Sequence, residues 1–290
     1  MKELKIVVLA KQVPDTRNVG KDAMKADGTV NRAALPAIFN PEDLNALEQA
    51  LRLKDAFAGS TVHVLTMGPG RAAEIIREAM YRGADGGYLL SDRAFAGSDT
   101  LATSYALSRA LLNVKYDLIV CGRQAIDGDT AQVGPQVAEK LGLPQVTYAE
   151  EIQEIKNGTM RIRRRLERGV EVVECPIPAV VTINGSAAPC RPRNARLVMK
   201  YKYAKAAQEA QDASEDYFSL VNERPYLKLT EWSVNDIRCE ARELGLSGSP
   251  TKVKAIENVV FQAKESRVIP AVDAEMDALM RELITNHTIG

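Results

Sequence analysis

The residues best suited to chemistry lie together in the segment Cys121-Gly122-Arg123-Gln124-Ala125-Ile126-Asp127-Gly128-Asp129-Thr130-Ala131-Gln132-Val133-Gly134. It follows an apolar run of strand length, Tyr116 to Cys121, and leads into residues 130–141, whose apolar positions recur at helical spacing. Gly122 and Gly128 open backbone angles closed to other residues, and amides at a helix start face a phosphate whose charge the helix dipole favours. Thr130 suits a helix N-cap, while Asp127 and Asp129 suit acceptance of hydrogen bonds from ribose or adenine, or capping in their own right. Binding of a phosphorylated ligand is the chemistry this predicts. The same pattern also describes a βα turn with ordinary capping, and it is neither a P-loop nor a G-x-G-x-x-G fingerprint.

Other chemistries have little material to work with. The chain has 290 residues and 2 histidines, His63 inside a strand pattern and His287 near the end, so a His-based metal site or a catalytic triad is not expected. Lys plus Arg and Asp plus Glu each number 38, which leaves no net basic field for nucleic acid. The cysteines Cys121, Cys175, Cys190 and Cys239 are widely spaced without a C-x-x-C pair, which fits a reducing cytoplasm. The apolar run Leu4 to Ala10 is too short for a signal peptide, and no window approaches a membrane span.

Elements that could position the segment recur along the chain. Strands are predicted at Leu4 to Ala10, Thr61 to Met67, Gly87 to Leu90, Tyr116 to Cys121 and Ala179 to Ile183, with helices between most of them. This alternation predicts an α/β fold with a parallel sheet. Asn40-Pro41-Glu42-Asp43 reads as N-cap, N1 proline and first-turn acids of a helix with Leu44, Leu47 and Leu51 on one stripe. Further helices are expected over residues 70–82 and 99–112. In such a sheet the ligand crevice lies beyond the carboxyl ends of the strands, where strand order reverses. The loops available there are 10–15, 66–70 with Gly68-Pro69-Gly70, 91–98 and 121–130.

Beyond residue 150 the pattern changes. Residues 151–163 read as a hairpin around Asn157-Gly158. Arg161, Arg163, Arg164, Arg165 and Arg168 form a basic cluster, a solvated strand face or a contact for an anionic partner. From Cys190 onward the core signal fades, so 191–290 is expected to lack its own compact core. A last helix, about 272–284, places Met276, Leu279, Met280 and Leu283 on one face, to dock on another subunit or on its own domain.

Five ordered motifs resemble the beta, or small, subunit of electron transfer flavoproteins, and the match spans nearly the whole chain. They are Ile6-Val7-Val8-Leu9-Ala10-Lys11-Gln12-Val13-Pro14-Asp15, Asn40-Pro41-Glu42-Asp43, Gly122-Arg123-Gln124-Ala125-Ile126-Asp127, Pro178-Ala179-Val180-Val181-Thr182-Ile183 and Gly245-Leu246-Ser247-Gly248-Ser249-Pro250-Thr251-Lys252-Val253. The resemblance implies an adenine nucleotide alpha hydrolase-like nucleotide-binding domain over 1–190 and an extended arm over 191–290 that packs on a larger alpha subunit. That subunit carries an FAD of its own. Housekeeping members of the family hold AMP in the beta subunit, whereas electron-bifurcating members hold a second FAD and carry the Asp-Gly-Asp-Thr-Ala-Gln-Val-Gly form found at Asp127 to Gly134.

Carried onto matching positions, the resemblance implies that Ala10, Asn40, Asp43, Thr66, Gly122, Asp127, Asp129, Thr130, Gln132, Val133 and Gly134 surround the adenosine and pyrophosphate of FAD. Gln124, Ala125, Gly128 and Ala131 complete the loop. The flavin ring is expected towards Thr66 to Gly70, Met67 and Gly68 among them, and Arg123, where NADH approaches and where Arg123, the residue nearest to a catalytic role, favours an anionic flavin. Electrons then pass to ferredoxin or flavodoxin and, through the alpha-subunit FAD, to an acyl-CoA-type or other flavin dehydrogenase. The alternatives are a non-bifurcating carrier holding AMP and a non-redox adenine-nucleotide-binding regulatory module. One departure from the family is the region 191–232, which is longer than expected.

Overall fold

The computed structural model describes residues 3–15, 36–211, 215–251, 268–286 and 288–289; His287, Lys252 and Val253 lie outside them. The chain divides into two compact units, Met1–Lys254 and Ala255–Gly290.

Unit one is an α/β fold around a 9-stranded sheet in the order β11-β5-β4-β1-β6-β10-β7-β8-β9. The strands are β1 (Lys5–Leu9), β4 (Thr61–Met67), β5 (Gly86–Leu90), β6 (Leu118–Gly122), β7 (Gln145–Lys156), β8 (Thr159–Leu166), β9 (Gly169–Pro176), β10 (Ala179–Ile183) and β11 (Thr230–Trp232). From β11 to β7 every neighbour is parallel, and β8 and β9 continue the sheet antiparallel. Strands β1, β6 and β10 are near-continuous apolar runs because helices cover both faces. On one face pack α1 (Pro41–Ala56) and α2 (Ala73–Met80), and on the other α3 (Thr100–Leu111) and α4 (Val133–Leu141). Fully buried Ile6, Leu47, Leu65, Leu118 and Ile119 anchor these layers. Each such side chain contributes roughly 1.5–3 kcal/mol by leaving water.

β4 and β10 have the bounds expected from sequence, and the Asn157-Gly158 turn between β7 and β8 takes positive φ at both residues, +52° and +80°. β9 is a strand beyond those the sequence predicts. Its sequence, GVEVVECP, buries only Cys175 fully and so carries a weak alternation signal. The arginines of β8 face carboxylates of their own sheet: Arg163 and Arg165 reach Glu150 at 3.1 and 2.5 Å, and Arg164 pairs with Glu171. Arg161, Arg165 and Arg168 remain exposed.

Beyond β10 the chain lies along α1 and α2, held by arginine. Arg191 Nε donates to Glu48 at 3.0 Å, Arg193 Nε to Glu78 at 3.0 Å, and Arg77 ties Glu209 back at 2.7 Å. These carry the chain through α5 (Ala195–Tyr201) and α6 (Glu215–Glu223) towards β11. In unit two, α7 (Asp273–Thr285) leaves Met276, Met280 and Ile284 exposed.

Candidate functional site

Strand order reverses between β1 and β6, since the chain passes from β1 outward to β4 on one side and returns to β6 on the other. The carboxyl ends of these strands therefore flank the crevice. A short antiparallel pair, β2 (Gln12–Pro14) with β3 (Ala37–Phe39), brings the chain from β1 back over the sheet into α1. This closes Asn40 N–H onto the Lys11 carbonyl at 3.0 Å.

Three residues at the start of α1 hold the crevice open in one shape. Asp43 is buried, and its carboxylate accepts Lys11 N–H and Gly122 N–H, each at 2.9 Å, so one side chain bridges the ends of β1 and β6. Burial pushes its carboxyl up to about 7, while the backbone donors hold it down from a higher value still. Asn40, the residue expected to cap α1, makes no side-chain cap. Its amide instead donates to the Gln124 carbonyl at 2.9 Å and accepts Ile126 N–H at 3.2 Å. Glu42 accepts Gln124 N–H at 3.0 Å and pairs with Arg123 at 3.0 Å.

These braces explain why the helix after β6 starts late. Residues 123–132 stay out of helix, and α4 begins at Val133 with no side-chain cap, so Thr130, Asp127 and Asp129 do not cap it. Asp129 and Ala131 lie in the left-handed region, φ +49° and +52°, a conformation rarely adopted by alanine. Neither Gly122 nor Gly128 has positive φ, so the freedom expected of them is not used. Gly122 is required for space, because a Cβ there would lie 2.5 Å from Asp43 Oδ1 and 2.8 Å from Glu42 C. A Cβ on Gly128 would meet nothing within 4 Å. Gly134 lets α4 settle on the sheet, where a Cβ would come within 2.7 Å of Thr182 and 2.8 Å of the Cys121 sulfur.

The expected residues occupy one end of the sheet. Ala10 follows β1, Thr66 and Met67 end β4, Gly68 begins the next loop, and Gly122 ends β6. Arg123 is held by Glu42 and lies 5.9 Å from the centre of the Tyr148 ring. Its hydrogen bond to Glu42 raises its already high pKa, so it stays charged. Gln124 donates to Asp129 at 2.8 Å, and Gln132 accepts from Thr100 at 3.0 Å.

Lys11, Glu42 and Thr100 belong to the site although the motif pattern alone did not single out their side chains. Lys11 Nζ meets both Asp127 oxygens at 2.8 and 2.9 Å. Thr100 is placed by the Gly245 to Thr251 turn: Asp99, the N-cap of α3, donates from its backbone to Ser249 Oγ at 2.8 Å and accepts from Thr251 Oγ1 at 2.6 Å. The motif at the far end of the sequence thereby supports the side of the crevice opposite α1. Its signal lay in the motif itself, and only the fold connects it to Gln132.

The arrangement fits a nucleotide. The outer loop residues Gly128, Asp129 and Thr130 are exposed, hydroxyl and carboxylate groups surround them, and Thr66 Oγ1 is buried without a hydrogen-bond partner among the described residues. An orphaned buried hydroxyl is a group that a ligand's polar atom satisfies. No thiol here is set up as a nucleophile: burial, with the Asp43 charge beside it, pushes the Cys121 thiol up. Among the described residues no group of His, Cys, Asp and Glu could hold a metal ion.

Asn40→Ala leaves the Gln124 carbonyl and Ile126 N–H without these partners and is expected to destabilise the protein by about 2 kcal/mol. Denaturant unfolding measures it, and a change below about 0.5 kcal/mol would contradict the bracing role.

Known proteins show which family the chain resembles. An electron transfer flavoprotein domain matches residues 27–214. The chain is 44% identical over 251 residues to the electron transfer flavoprotein subunit beta of Clostridium acetobutylicum, covering 87% of this chain and 86% of that one. It is 42% identical over 251 residues to the caffeyl-CoA reductase-Etf complex subunit CarD of Acetobacterium woodii, 86% of each chain. With the protein FixA of Bradyrhizobium diazoefficiens the identity is 36% over 288 residues, 97% of this chain and 91% of the other. With its α/β sheet, its switch-point crevice and these similarities, the chain belongs to the electron transfer flavoprotein family and is a beta subunit of it.

Proposed function

We propose that this beta subunit holds FAD between β1 and the loop 122–134, accepts hydride from NADH and splits the electron pair. The low-potential electron goes to ferredoxin or flavodoxin, and the other goes through the alpha-subunit FAD to an acyl-CoA-type or other flavin dehydrogenase. The observation that carries the reading is the braced crevice itself: Asn40, Glu42 and Asp43 hold the loop 122–134 across the carboxyl ends of β1 and β6, and Thr66 Oγ1 is buried without a hydrogen-bond partner among the described residues. Similarity to CarD and to the acryloyl-CoA reductase electron transfer subunit gamma of Anaerotignum propionicum supports a reductase partner.

When bound, FAD supplies the hydride acceptance and the single-electron steps, so the protein contributes positioning and electrostatics. Asn40, Glu42 and Asp43 fix the loop, the backbone amides after Gly128 face the phosphates, and Thr66 offers its hydroxyl. Arg123 is a fixed positive charge for the flavin end, partly offset by Glu42. In this reading residues 1–190 hold the nucleotide and 191–290, whose β11 joins the edge of the same sheet, contact the alpha subunit, with Met276, Met280 and Ile284 of α7 supplying apolar contact. The complex acts in the cytoplasm; among the described residues no helix is long and apolar enough to cross a membrane.

Anaerobic titration of the alpha–beta complex with NADH, followed by absorption, tests the proposal. Bleaching of the flavin band by NADH is expected. A flavin that dithionite reduces and NADH does not would exclude hydride acceptance.

A further inference from the structure

The nucleotide loop has a charge problem that its own sequence does not solve. Residues 124–134 carry Asp127 and Asp129 and no cation, so a phosphate approaching the exposed amides faces two carboxylates. Arg123, the nearest basic residue in sequence, is paired with Glu42, whose carboxylate offsets its charge. The missing cation comes from the neighbouring strand end. Lys11 is fixed on both sides of its backbone, with its N–H on Asp43 at 2.9 Å and its carbonyl accepting from Asn40 at 3.0 Å. Its side chain spans the switch point and places Nζ on Asp127 at 2.8 Å.

We infer that Lys11 is the phosphate-binding cation of this site, held in place by Asp127 until an adenine nucleotide's phosphate replaces that carboxylate. The inference rests on the nucleotide reading above. The Lys11 side chain is 49% exposed although that of Asp127 is only 17%, so water screens the pair on the lysine's side and Nζ is free to turn from the carboxylate to a phosphate oxygen. Lys11 thereby selects for phosphorylated ligands over nucleosides. It leaves recognition of the base and ribose to the loop.

The test compares AMP with adenosine on the nucleotide-stripped alpha–beta complex by equilibrium dialysis, because their affinity ratio isolates the phosphate from all other contacts. Wild type is expected to prefer AMP. Lys11→Met is expected to lower that ratio about tenfold while adenosine affinity holds, and Lys11→Arg to restore most of it. Asp127→Asn, which releases Lys11, is expected to raise the ratio even if ribose contacts are lost. An unchanged ratio in Lys11→Met, with wild type still preferring AMP, overturns the role of Lys11 and leaves the nucleotide reading standing. Binding of neither compound by wild type overturns both.

Discussion

Replacing Gly122 with alanine is expected to destabilise the protein by about 3 kcal/mol and to abolish nucleotide retention. The new methyl would sit 2.5 Å from Asp43 Oδ1 and 2.8 Å from both Asp43 N and Glu42 C. Two of these atoms are backbone at the start of α1, so no flexible side chain can swing away to relieve the contact. Either α1 recoils from the sheet or β6 shifts, and both movements break the Gly122 N–H to Asp43 hydrogen bond. Denaturant unfolding and nucleotide content of the purified complex measure the outcome. A variant that unfolds like wild type and keeps its nucleotide would show that the switch point tolerates movement this packing does not allow.

The second large effect concerns Asp43 and pH. Its folded-state pKa is raised from 3.8 to about 7, first by burial, with the Lys11 and Gly122 amides opposing. A raised carboxyl binds its proton more firmly in the folded than in the unfolded chain, so its contribution to stability is full below the ordinary pKa. It is lost as pH rises through about 7. The charge that bears on this carboxyl is that of Glu42, beside it on α1, while Asn40, Lys11 N–H and Gly122 N–H supply its hydrogen bonds and the nearby Cys121 thiol of β6 stays neutral. Asp43→Asn cannot titrate. Wild type is therefore expected to lose about 2 kcal/mol relative to Asp43→Asn between about pH 5.5 and about pH 8. Unfolding midpoints at the two pH values give the difference. Parallel pH profiles for the two proteins would mean that Asp43 titrates at an ordinary value and that its burial is compensated.

Much of the fold was legible because its signals are local. Apolar runs such as Leu118 to Cys121 exist only where both faces of a strand are covered, and Asn40-Pro41-Glu42-Asp43 starts a helix on local chemistry alone. The exceptions share a cause. Asn40 has the residue type of a cap and braces a loop 84 and 86 residues away, which no local rule anticipates. Thr130 has the same type and caps nothing, since Glu42, Asn40 and the strained backbone at Asp129 and Ala131 delay the helix to Val133. The glycines of the loop drew attention for backbone freedom, yet Gly122 and Gly134 are required for the close approach of α1 and of the sheet. Lys11 gives no local sign of its role, because its partner lies 116 residues on.

The central claim is that the crevice between β1 and the 122–134 loop holds FAD. Its most direct test is the nucleotide content of the purified alpha–beta complex, released by denaturation and quantified by chromatography against protein. The account predicts two FAD and no AMP per heterodimer. One FAD together with one AMP per heterodimer would contradict it.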